Sequence, residues 1–137
     1  MKKLKHFLKR LVDQRIMTAK HIVVIEDNIE FLTVLTVLLE QQEFRVTALA
    51  QVSTIEELIS LQADYFIIDE MLPVINGHIL CIILKSKPQT REIPVILISA
   101  SEQLEGVASL CEAEHFLTKP FDHQILLDIL GEVESTL

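Results

Sequence analysis

Short apolar runs and longer segments of helical spacing alternate along this sequence. Three of the apolar runs are nearly continuous in β-branched and aromatic residues, which is typical of strands buried on both faces. The other two are more mixed and suit strands near the edges of a sheet. The sequence therefore predicts five β-strands, over residues 21–26, 44–48, 64–69, 93–98 and 114–118.

The segments between these runs carry apolar residues three and four positions apart, the spacing of a helix with one buried face. Ser53 and Glu56 form a capping-box pattern that begins one of these helices, and Pro88 ends another. The predicted helices span residues 28–42, 54–61, 77–87, 102–111 and 121–133. Regular alternation of strand and helix predicts an α/β fold, in which a parallel sheet carries helices on both faces.

The composition fits one folded domain. Of the 137 residues, 50% are apolar and 23% are charged, which excludes a mostly disordered chain. The longest apolar runs are far shorter than the roughly 20 residues that cross a bilayer, and no signal peptide is expected. Cys81 and Cys111 fall inside predicted helices without metal-type spacing. They are interpreted as buried, reduced thiols of a cytoplasmic protein.

The distribution of charge divides the chain into two parts. Residues 1–20 carry seven Lys or Arg and one Asp, a balance of +6, whereas residues 21–137 carry five bases and 19 acids, a balance of −14. The first part also has an apolar stripe at helical spacing, formed by Leu4, Phe7, Leu8, Leu11, Val12 and Ile16. We therefore separate a basic amphipathic N-terminal extension, 1–20, from a folded domain, 21–137.

A basic amphipathic helix can lie on an anionic membrane, bind a groove in a partner, or pack on its own domain. The acidity of residues 21–137 favours docking on the same domain, or pairing with another copy in a homodimer, over contact with a membrane surface. Direct DNA binding is not expected, because one short helix supplies too few contacts. A further alternative is that Met17 is the true start of the protein.

Chemically distinctive residues follow the predicted strands. Glu26 and Asp27 come at the end of the first strand, Asp69 ends the third, and Ser99 and Lys119 follow the fourth and fifth. The carboxyl ends of parallel strands meet at one edge of the sheet, where ligands bind in open α/β folds. Three carboxylates there would repel one another unless a cation lay between them, and Mg²⁺ prefers such oxygen ligands.

The same set of residues has the chemistry for phosphoryl transfer. A carboxylate can attack a phosphoryl donor to form an aspartyl phosphate, and the developing charge needs cations and hydrogen-bond donors. Asp69 is the candidate nucleophile because it lies at the centre of the set in strand order. Lys119 and Ser99 would contact the phosphoryl group. Taken singly, Asp27 or Ser99 could simply cap a helix. Their joint occurrence at four strand ends favours a site.

Four segments of the chain resemble the receiver domain of bacterial two-component response regulators, in particular the stand-alone chemotaxis type. They are IEDN (25–28), IIDEMLPVING (67–77), PVILISAS (94–101) and FLTKPF (116–121), and the resemblance covers residues 21–134. It implies a flavodoxin-like, doubly wound five-stranded parallel sheet of order 2-1-3-4-5 with five helices. The N-terminal amphipathic helix would be an addition to this fold.

The resemblance also implies a role for each residue of the site. It makes Asp69 the phosphoacceptor. The ligands of Mg²⁺ would be Glu26, Asp27, Asp69 and the backbone carbonyl of Met71. Ser99 and Lys119 would contact the phosphoryl group, and Phe116 would be a switch aromatic whose rotamer follows the Ser99 hydroxyl. The peptide bond before Pro120 would be cis.

Several positions depart from the common pattern of this family. Glu112 stands where a glycine often precedes the last strand, and the interval before the Lys-Pro pair is short, so the intervening helix is expected to be remodelled. Glu70, beside the acceptor, is expected to face water. Met71 and Ser101 lie at positions that tune hydrolysis of the acyl phosphate in the family. The apolar Met71 cannot orient a water, which predicts a long-lived phosphoryl group.

Further expectations concern the helix after the acceptor strand and the histidines. Gly77 would supply a permissive backbone at the end of the loop. His78, His115 and His123 have no partner at metal-ligand spacing and are interpreted as ordinary surface or interface residues. Residues 79–84 are apolar all round, and close burial against neighbouring helices is favoured over an exposed docking patch.

The predicted function is that of a single-domain response regulator in phosphorelay signalling. A partner histidine kinase or histidine phosphotransfer protein would phosphorylate Asp69 in the presence of Mg²⁺. Phosphorylation would remodel a surface over 102–111, 114–118 and 121–133 that binds a downstream protein target. The protein is not expected to be an enzyme beyond self-catalysed phosphorylation and dephosphorylation.

Other functions stay open at this point. One alternative is a receiver-like interaction module that works without phosphorylation, and a second is a small aspartyl-phosphate phosphatase. Met71 argues against the phosphatase, because that class needs a second Asp at this position. A flavin-binding flavodoxin is disfavoured, because the acidic residues after the first strand would repel the flavin phosphate.

Overall fold

The chain forms five strands and six helices over the residues that the structure describes. This computed structural model describes residues 1–100, 102 and 104–136, but not the side chains of 12–18, 104 and 132–136. The strands are β1 (His21–Ile25), β2 (Arg45–Leu49), β3 (Tyr65–Asp69), β4 (Val95–Ser99) and β5 (His115–Thr118). The helices are α1 (Lys2–Thr18), α2 (Ile29–Gln41), α3 (Ile55–Ser60), α4 (Gly77–Lys85), α5 (Leu104–Cys111) and α6 (His123–Thr136). None of these helices is both long and apolar enough to span a membrane.

The five strands form one parallel sheet in the order β2-β1-β3-β4-β5. This arrangement confirms the predicted flavodoxin-like fold. The two mixed strands, β2 and β5, lie at the edges as expected, while β1, β3 and β4 are buried along their whole length. The register pairs Asp69 with Ile98 and Ser99 with Thr118, so the carboxyl ends of the strands lie side by side.

The sheet separates two apolar layers, because alternate side chains of each strand point to opposite faces. One layer packs under α3, α4 and α5 and includes Phe66, Ile68, Leu80, Leu84 and Leu97. The other packs under α2 and α6 and includes Leu35, Leu39, Tyr65, Ile96 and Leu126. The domain is therefore covered on both faces, and its site must lie at an edge of the sheet.

Two helix starts differ from the sequence-based expectation. The Asn28 Oδ1 atom accepts the Phe31 N–H at 3.1 Å and caps α2, so the alternative reading of Asp27 as the cap is wrong. Thr54 Oγ1 accepts the Glu57 N–H at 3.1 Å and caps α3. The capping box predicted one residue earlier is also wrong. Because Asn28 caps α2, the Asp27 carboxylate is not required as the cap of that helix.

The two cysteines are buried, as predicted. Cys81 in α4 donates its thiol to the Cys111 carbonyl at 3.2 Å, and Cys111 is the last residue of α5. Burial, with a smaller contribution from the neighbouring Cys111, raises the pKa of the Cys81 thiol well above its ordinary value. Both side chains act as small apolar groups of the core.

Helix α4 is only partly covered. Leu80, Cys81 and Leu84 are buried, but Ile79 and Ile82 are 40% and 43% exposed. The prediction of close burial is therefore wrong for one face of this helix. The reason is that α4 contacts the sheet and α5, and nothing in the described part of the chain covers its outer face.

The segment between β4 and β5 keeps its helix. Helix α5 begins at Leu104, two residues later than predicted, and Ser101 lies outside the described residues, so the prediction for Ser101 stays untested. Glu112 follows α5 with a φ of 62°. A left-handed backbone explains why a glycine suits this position in the family.

Candidate functional site

Three acidic side chains meet at the carboxyl edge of the sheet, as predicted. Glu26 and Asp27 follow β1, Asp69 ends β3, and one carboxylate oxygen from each lies within 4.8 Å of the others. Glu26 is 0% exposed and Asp69 is 4% exposed, whereas Asp27 reaches solvent. The adjacency of β1 and β3 brings residues together that are more than forty positions apart in sequence.

Lys119 supplies the positive charge of the cluster. Its ammonium donates to Glu26 Oε1 at 2.5 Å and to Asp69 Oδ2 at 3.2 Å. The Phe31 ring lies 4.2 Å from the ammonium and covers it from the side of α2. The Lys119 N–H donates to the Ser99 carbonyl at 2.8 Å, and the bond to Pro120 is cis, as expected. The predicted lysine is therefore fixed at both its backbone and its side chain.

One ammonium does not balance the three carboxylates. Glu26 Oε2 is buried and has no hydrogen-bond partner among the described residues. Burial raises the pKa of Glu26 from 4.5 to about 8, the neighbouring Asp69 carboxyl adds to this, and Lys119 opposes it. Burial alone would lower the pKa of Lys119, but its bonds to Glu26 and Asp69 outweigh burial and raise it.

The orphaned Glu26 oxygen and the grouped carboxylates fit a small hard cation. Such a cation would satisfy the buried oxygen and relieve the repulsion that now favours a proton on Glu26. All the side-chain donors are oxygen atoms, which suits Mg²⁺ rather than a thiophilic metal. The residues present therefore fit the predicted ion.

The orientation of the Asp69 carboxylate is fixed from two sides. The Met71 N–H donates to Oδ1 at 2.9 Å, while Lys119 holds Oδ2. The Met71 side chain is exposed, so its backbone rather than its side chain serves the site. This arrangement leaves the Asp69 carboxylate held in position from both sides.

Gly77 is needed at the start of α4 for a reason other than the predicted one. Its φ is not positive, so a permissive backbone is not the cause. A Cβ atom at this position would lie 2.3 Å from the Asp69 carbonyl oxygen and 2.9 Å from the Glu70 Cα atom. The Gly77 N–H also donates to the Glu70 carbonyl at 3.0 Å. Close approach of α4 to β3 therefore requires glycine.

Glu70, next to Asp69, contradicts its sequence-based interpretation. Glu70 does not face water but is 7% exposed. Its Oε1 accepts the His78 N–H at 2.6 Å, and its Oε2 lies 2.6 Å from His78 Nδ1. His78 is half-buried and bonded to Glu70 through both its N–H and its ring. Asn76 makes no side-chain bond to α4, so Glu70 caps this helix from outside and ties it to the acceptor strand.

Ser99 and Phe116 lie on the same face of the sheet, as a coupled pair requires. Ser99 ends β4 and is fully buried. Phe116 pairs with Leu97 in register, two residues before Ser99 on the same face of β4. The Phe116 ring is 40% exposed at the rim of the sheet. The structure therefore places both predicted residues on one face of the sheet, Ser99 buried at the end of β4 and Phe116 half-exposed on β5.

Sequence reasoning missed three parts of this site: the Glu70–His78 pair, the Phe31 ring over Lys119, and the close approach of Gly77. The placement of Glu70 one residue after the acceptor, with a histidine in the first turn of the next helix, is a signal that could have revealed the first. The other two depend on distances between elements that the sequence does not contain.

Comparison with known proteins agrees with this geometry. Residues 22–131 match the family model of the response regulator receiver domain. The chain is 40% identical over 67 residues to the response regulator PleD of Caulobacter vibrioides, covering 46% of this chain and 14% of that protein. It is 31% identical over 104 residues to the two-component response regulator ORR3 of Oryza sativa, covering 73% of this chain and 79% of that protein.

A solved structure is similar over most of the chain. The signal receiver domain of a signal transduction histidine kinase from Syntrophus aciditrophicus is 30% identical, with a TM-score of 0.78 over 87% of this chain and 92% of that domain. The chain spans only a small part of PleD and less than half of several other curated relatives. The fold, the acidic edge and the family match agree, and the chain belongs to the response regulator receiver domain family.

Proposed function

We propose that residues 21–137 act as a phosphoacceptor switch in which Asp69 receives a phosphoryl group from a histidine kinase or a histidine phosphotransfer protein. The observation that carries the proposal is the cluster of buried Glu26 and Asp69 with half-buried Lys119, in which a carboxylate oxygen has no partner among the described residues. A purely structural cluster would satisfy its buried polar atoms. This one keeps a buried carboxylate oxygen that a bound cation would satisfy.

The proposed transfer starts from a phosphohistidine of the partner. A carboxylate oxygen of Asp69 attacks phosphorus, the P–N bond breaks, and the imidazole leaves with its electron pair and takes a proton from solvent. The product is an acyl phosphate on Asp69. Lys119, already 3.2 Å from Asp69 Oδ2, would balance the charge of the transferred group, and Ser99 at the end of β4 would donate to one of its oxygens.

The proposed cofactor is Mg²⁺, held by Glu26, Asp27, Asp69 and the backbone carbonyl of Met71. When bound, the ion supplies charge neutralisation to the phosphoryl group. Three of these ligands are the carboxylates that cluster within 4.8 Å, and the fourth belongs to the loop that already contacts Asp69 through its N–H.

The proposed output is a change of surface at the α5, β5 and α6 side of the domain. The phosphoryl group would draw the Ser99 hydroxyl inward, and Phe116 would turn from its exposed position into the space beside β4. The 40% exposure of Phe116 and its position on the same face as Ser99 support this step. A downstream protein would read the new surface.

The lifetime of the phosphoryl group is proposed to be long. The Met71 side chain is exposed beside the acceptor and is apolar, so it cannot orient a water for attack on the acyl phosphate. The site is proposed to work in the cytoplasm, as a signalling phosphoacceptor rather than as a turnover enzyme.

The direct test is intact-protein mass spectrometry after incubation with acetyl phosphate and Mg²⁺. The wild type is expected to gain one phosphoryl group, Asp69→Asn to gain none, and omission of Mg²⁺ to abolish the gain. Asp128→Asn is the matched control, because Asp128 lies on the outer surface of α6 and should leave phosphorylation unchanged. A folded wild type that gains no mass would instead favour an interaction module that works without phosphorylation.

A further inference from the structure

The basic helix α1 carries an apolar stripe that its own domain does not cover. Within the described side chains, the stripe consists of Leu4, Phe7, Leu8 and Leu11, each 47% to 55% exposed. The basic side chains of the same part of the helix are also exposed; they are Lys2, Lys3, Lys5, Lys9 and Arg10. The predicted docking of this helix on its own domain is therefore not observed. An uncovered stripe on a folded helix indicates a surface that binds something else.

The domain has a groove of matching character between α2 and α6. Two adjoining clefts of about 300 Å³ and 320 Å³ share Val34 and His123 and form this α2–α6 groove. Val34 and Val37 are about half exposed along its length, and Phe31 and Phe121 line one end. A second apolar cleft of about 280 Å³ lies between α4 and α5 and is lined by Ile82, Lys85 and Leu110 among others.

Charge distinguishes the two clefts. Helices α2 and α6 together contain five Asp or Glu residues and no Lys or Arg. Helices α4 and α5 together contain one Lys and one Glu, Lys85 pairs with Glu114, and Glu112 also lines the α4–α5 cleft, so this cleft is close to neutral. Helix α1 carries six bases and one Asp, a net charge of +5, and is attracted more strongly to the acidic helices α2 and α6 than to the near-neutral α4–α5 cleft. The α2–α6 groove is therefore the better match for α1.

The occupant of the groove must come from another molecule. In a single chain, both the stripe of α1 and the side chains of Val34 and Val37 are exposed, so they do not cover each other. Pairing of two α1 helices with each other would bring two strongly basic segments together, which is unfavourable. A second copy of the chain offers both surfaces at once.

We propose that α1 of one copy docks in the α2–α6 groove of a second copy, and that the second copy returns the same contact across a twofold axis. In such an exchange, the contact between α1 and the α2–α6 groove forms twice, once in each direction. Leu4 to Leu11 extends about 10 Å along the helix, and α2 is about 20 Å long, so the groove accommodates the whole stripe. The apolar anchors would enter the groove while Lys and Arg lie near Glu30, which lines it, and the acidic helices α2 and α6.

Sedimentation velocity of the full-length protein at several concentrations tests the dimer. The wild type is expected to associate reversibly, and association is expected to weaken when NaCl is raised from about 0.1 M to 0.5 M. Phe7→Glu in the stripe and Val34→Glu in the groove are each expected to weaken association by about 30-fold or more. Ile82→Glu is the matched control, because Ile82 is similarly exposed on the α4–α5 side, and this variant should associate like the wild type.

Mixing the two disrupted variants identifies which surfaces meet. In a mixture of Phe7→Glu and Val34→Glu, the intact α1 of the second variant can dock in the intact groove of the first. The mixture is therefore expected to associate more strongly than either variant alone, with one of the two contacts restored. If α1 paired with α1, or groove with groove, mixing would not restore association and the proposal would fail.

Three other outcomes would overturn the proposal. The first is a wild type that stays monomeric up to about 100 µM. The second is a dimer that dissociates in the Ile82→Glu variant but persists in the Val34→Glu variant. The third concerns membranes, tested by co-sedimentation with vesicles of phosphatidylcholine and phosphatidylglycerol. If the monomer binds these vesicles through Phe7 and independently of Val34, the stripe is a lipid-binding surface instead. Circular dichroism of each variant checks that the exposed substitutions leave the fold intact.

Discussion

At the amino edge of the sheet, the buried His21 ring has a partner at each nitrogen. Nε2 lies 2.7 Å from Thr47 Oγ1, and Nδ1 lies 3.1 Å from the Leu61 carbonyl. The His21 N–H donates to Asp64 Oδ2 at 2.7 Å, and the Asp64 N–H returns a bond to the His21 carbonyl. At the carboxyl edge, by contrast, the buried Glu26 has one oxygen bonded to Lys119 and one without a partner.

The two edges differ in how completely their buried polar atoms are satisfied. Both edges bury charged or polar side chains, so burial alone does not separate them. Among the described residues, Glu26 at the carboxyl edge keeps a buried carboxyl oxygen without a partner, and this is unfavourable for stability. The arrangement is consistent with a site whose missing partners are a cation and a phosphoryl group.

The largest expected effect concerns Glu26 and pH. Because the pKa of Glu26 is raised from 4.5 to about 8, the folded state favours the protonated form. Its contribution to stability is complete below about pH 4.5 and is lost as pH rises to about 8, a change on the order of 4 kcal/mol. Urea unfolding without Mg²⁺ should show the wild type losing stability relative to Glu26→Gln over this range.

The control for this pH series is Glu56→Gln, since Glu56 is exposed in the first turn of α3 and should show no such trend. A stability difference between wild type and Glu26→Gln that does not vary from pH 4.5 to pH 8 would contradict the raised pKa.

The next largest effect is expected from Gly77→Ala. The added Cβ atom would meet the Asp69 backbone at 2.3 Å, so α4 must move away from the acceptor strand. We expect a loss of about 3 kcal/mol in the free energy of unfolding and a loss of phosphorylation by acetyl phosphate. Gly131→Ala is the control, because nothing lies within 4 Å of its Cβ position in α6. That variant should be unchanged or up to about 1 kcal/mol more stable.

At the amino edge, His21→Ala should affect stability alone. The substitution removes two buried side-chain bonds and leaves Thr47 and the Leu61 carbonyl without their partner. We expect a loss of about 2 kcal/mol, measured by urea unfolding, with the rate of phosphorylation unchanged where the variant is folded. A large change in phosphorylation rate would show that the two edges are not independent.

The smallest expected effect also lies at the amino edge, in the turns that follow helices. Glu43, Gln62 and Glu112 have positive φ values of 71°, 51° and 62° just after α2, α3 and α5. Glycine adopts this conformation without the steric penalty of a Cβ atom. Glu112→Gly should raise the midpoint of thermal unfolding, corresponding to roughly 0.5 to 1 kcal/mol, and a lower midpoint would contradict this explanation.

The sequence predicts the sheet and the acidic edge because both follow from simple periodicity. Alternating runs define parallel strands, and residues that end such strands must meet at one edge. For this reason the sequence alone predicts that Glu26, Asp69 and Lys119 lie close together, as they do in the structure. The edge positions of β2 and β5 follow from their mixed composition in the same way.

The sequence does not predict features that depend on the distance between elements. The bond between Glu70 and His78 requires α4 to approach β3 closely, and only the structure gives that distance. The exposure of Ile79 and Ile82 depends on which neighbours cover α4, and a run that is apolar all round does not contain this information. The sequence also does not predict how α1 lies relative to the domain, because that position depends on contacts between elements.

The most direct test of a cation and phosphoryl site at the carboxyl edge is calorimetric titration of the full-length protein with Mg²⁺ at pH 7.5. The structure predicts one binding site, with affinity reduced at least about tenfold in Asp27→Asn and Asp69→Asn, because each removes a clustered carboxylate. Asp64→Asn, at the amino edge, should bind like the wild type, because an amide oxygen can still accept the His21 N–H. Absence of Mg²⁺ binding by the folded wild type, or equal binding by Asp69→Asn, would contradict the assignment.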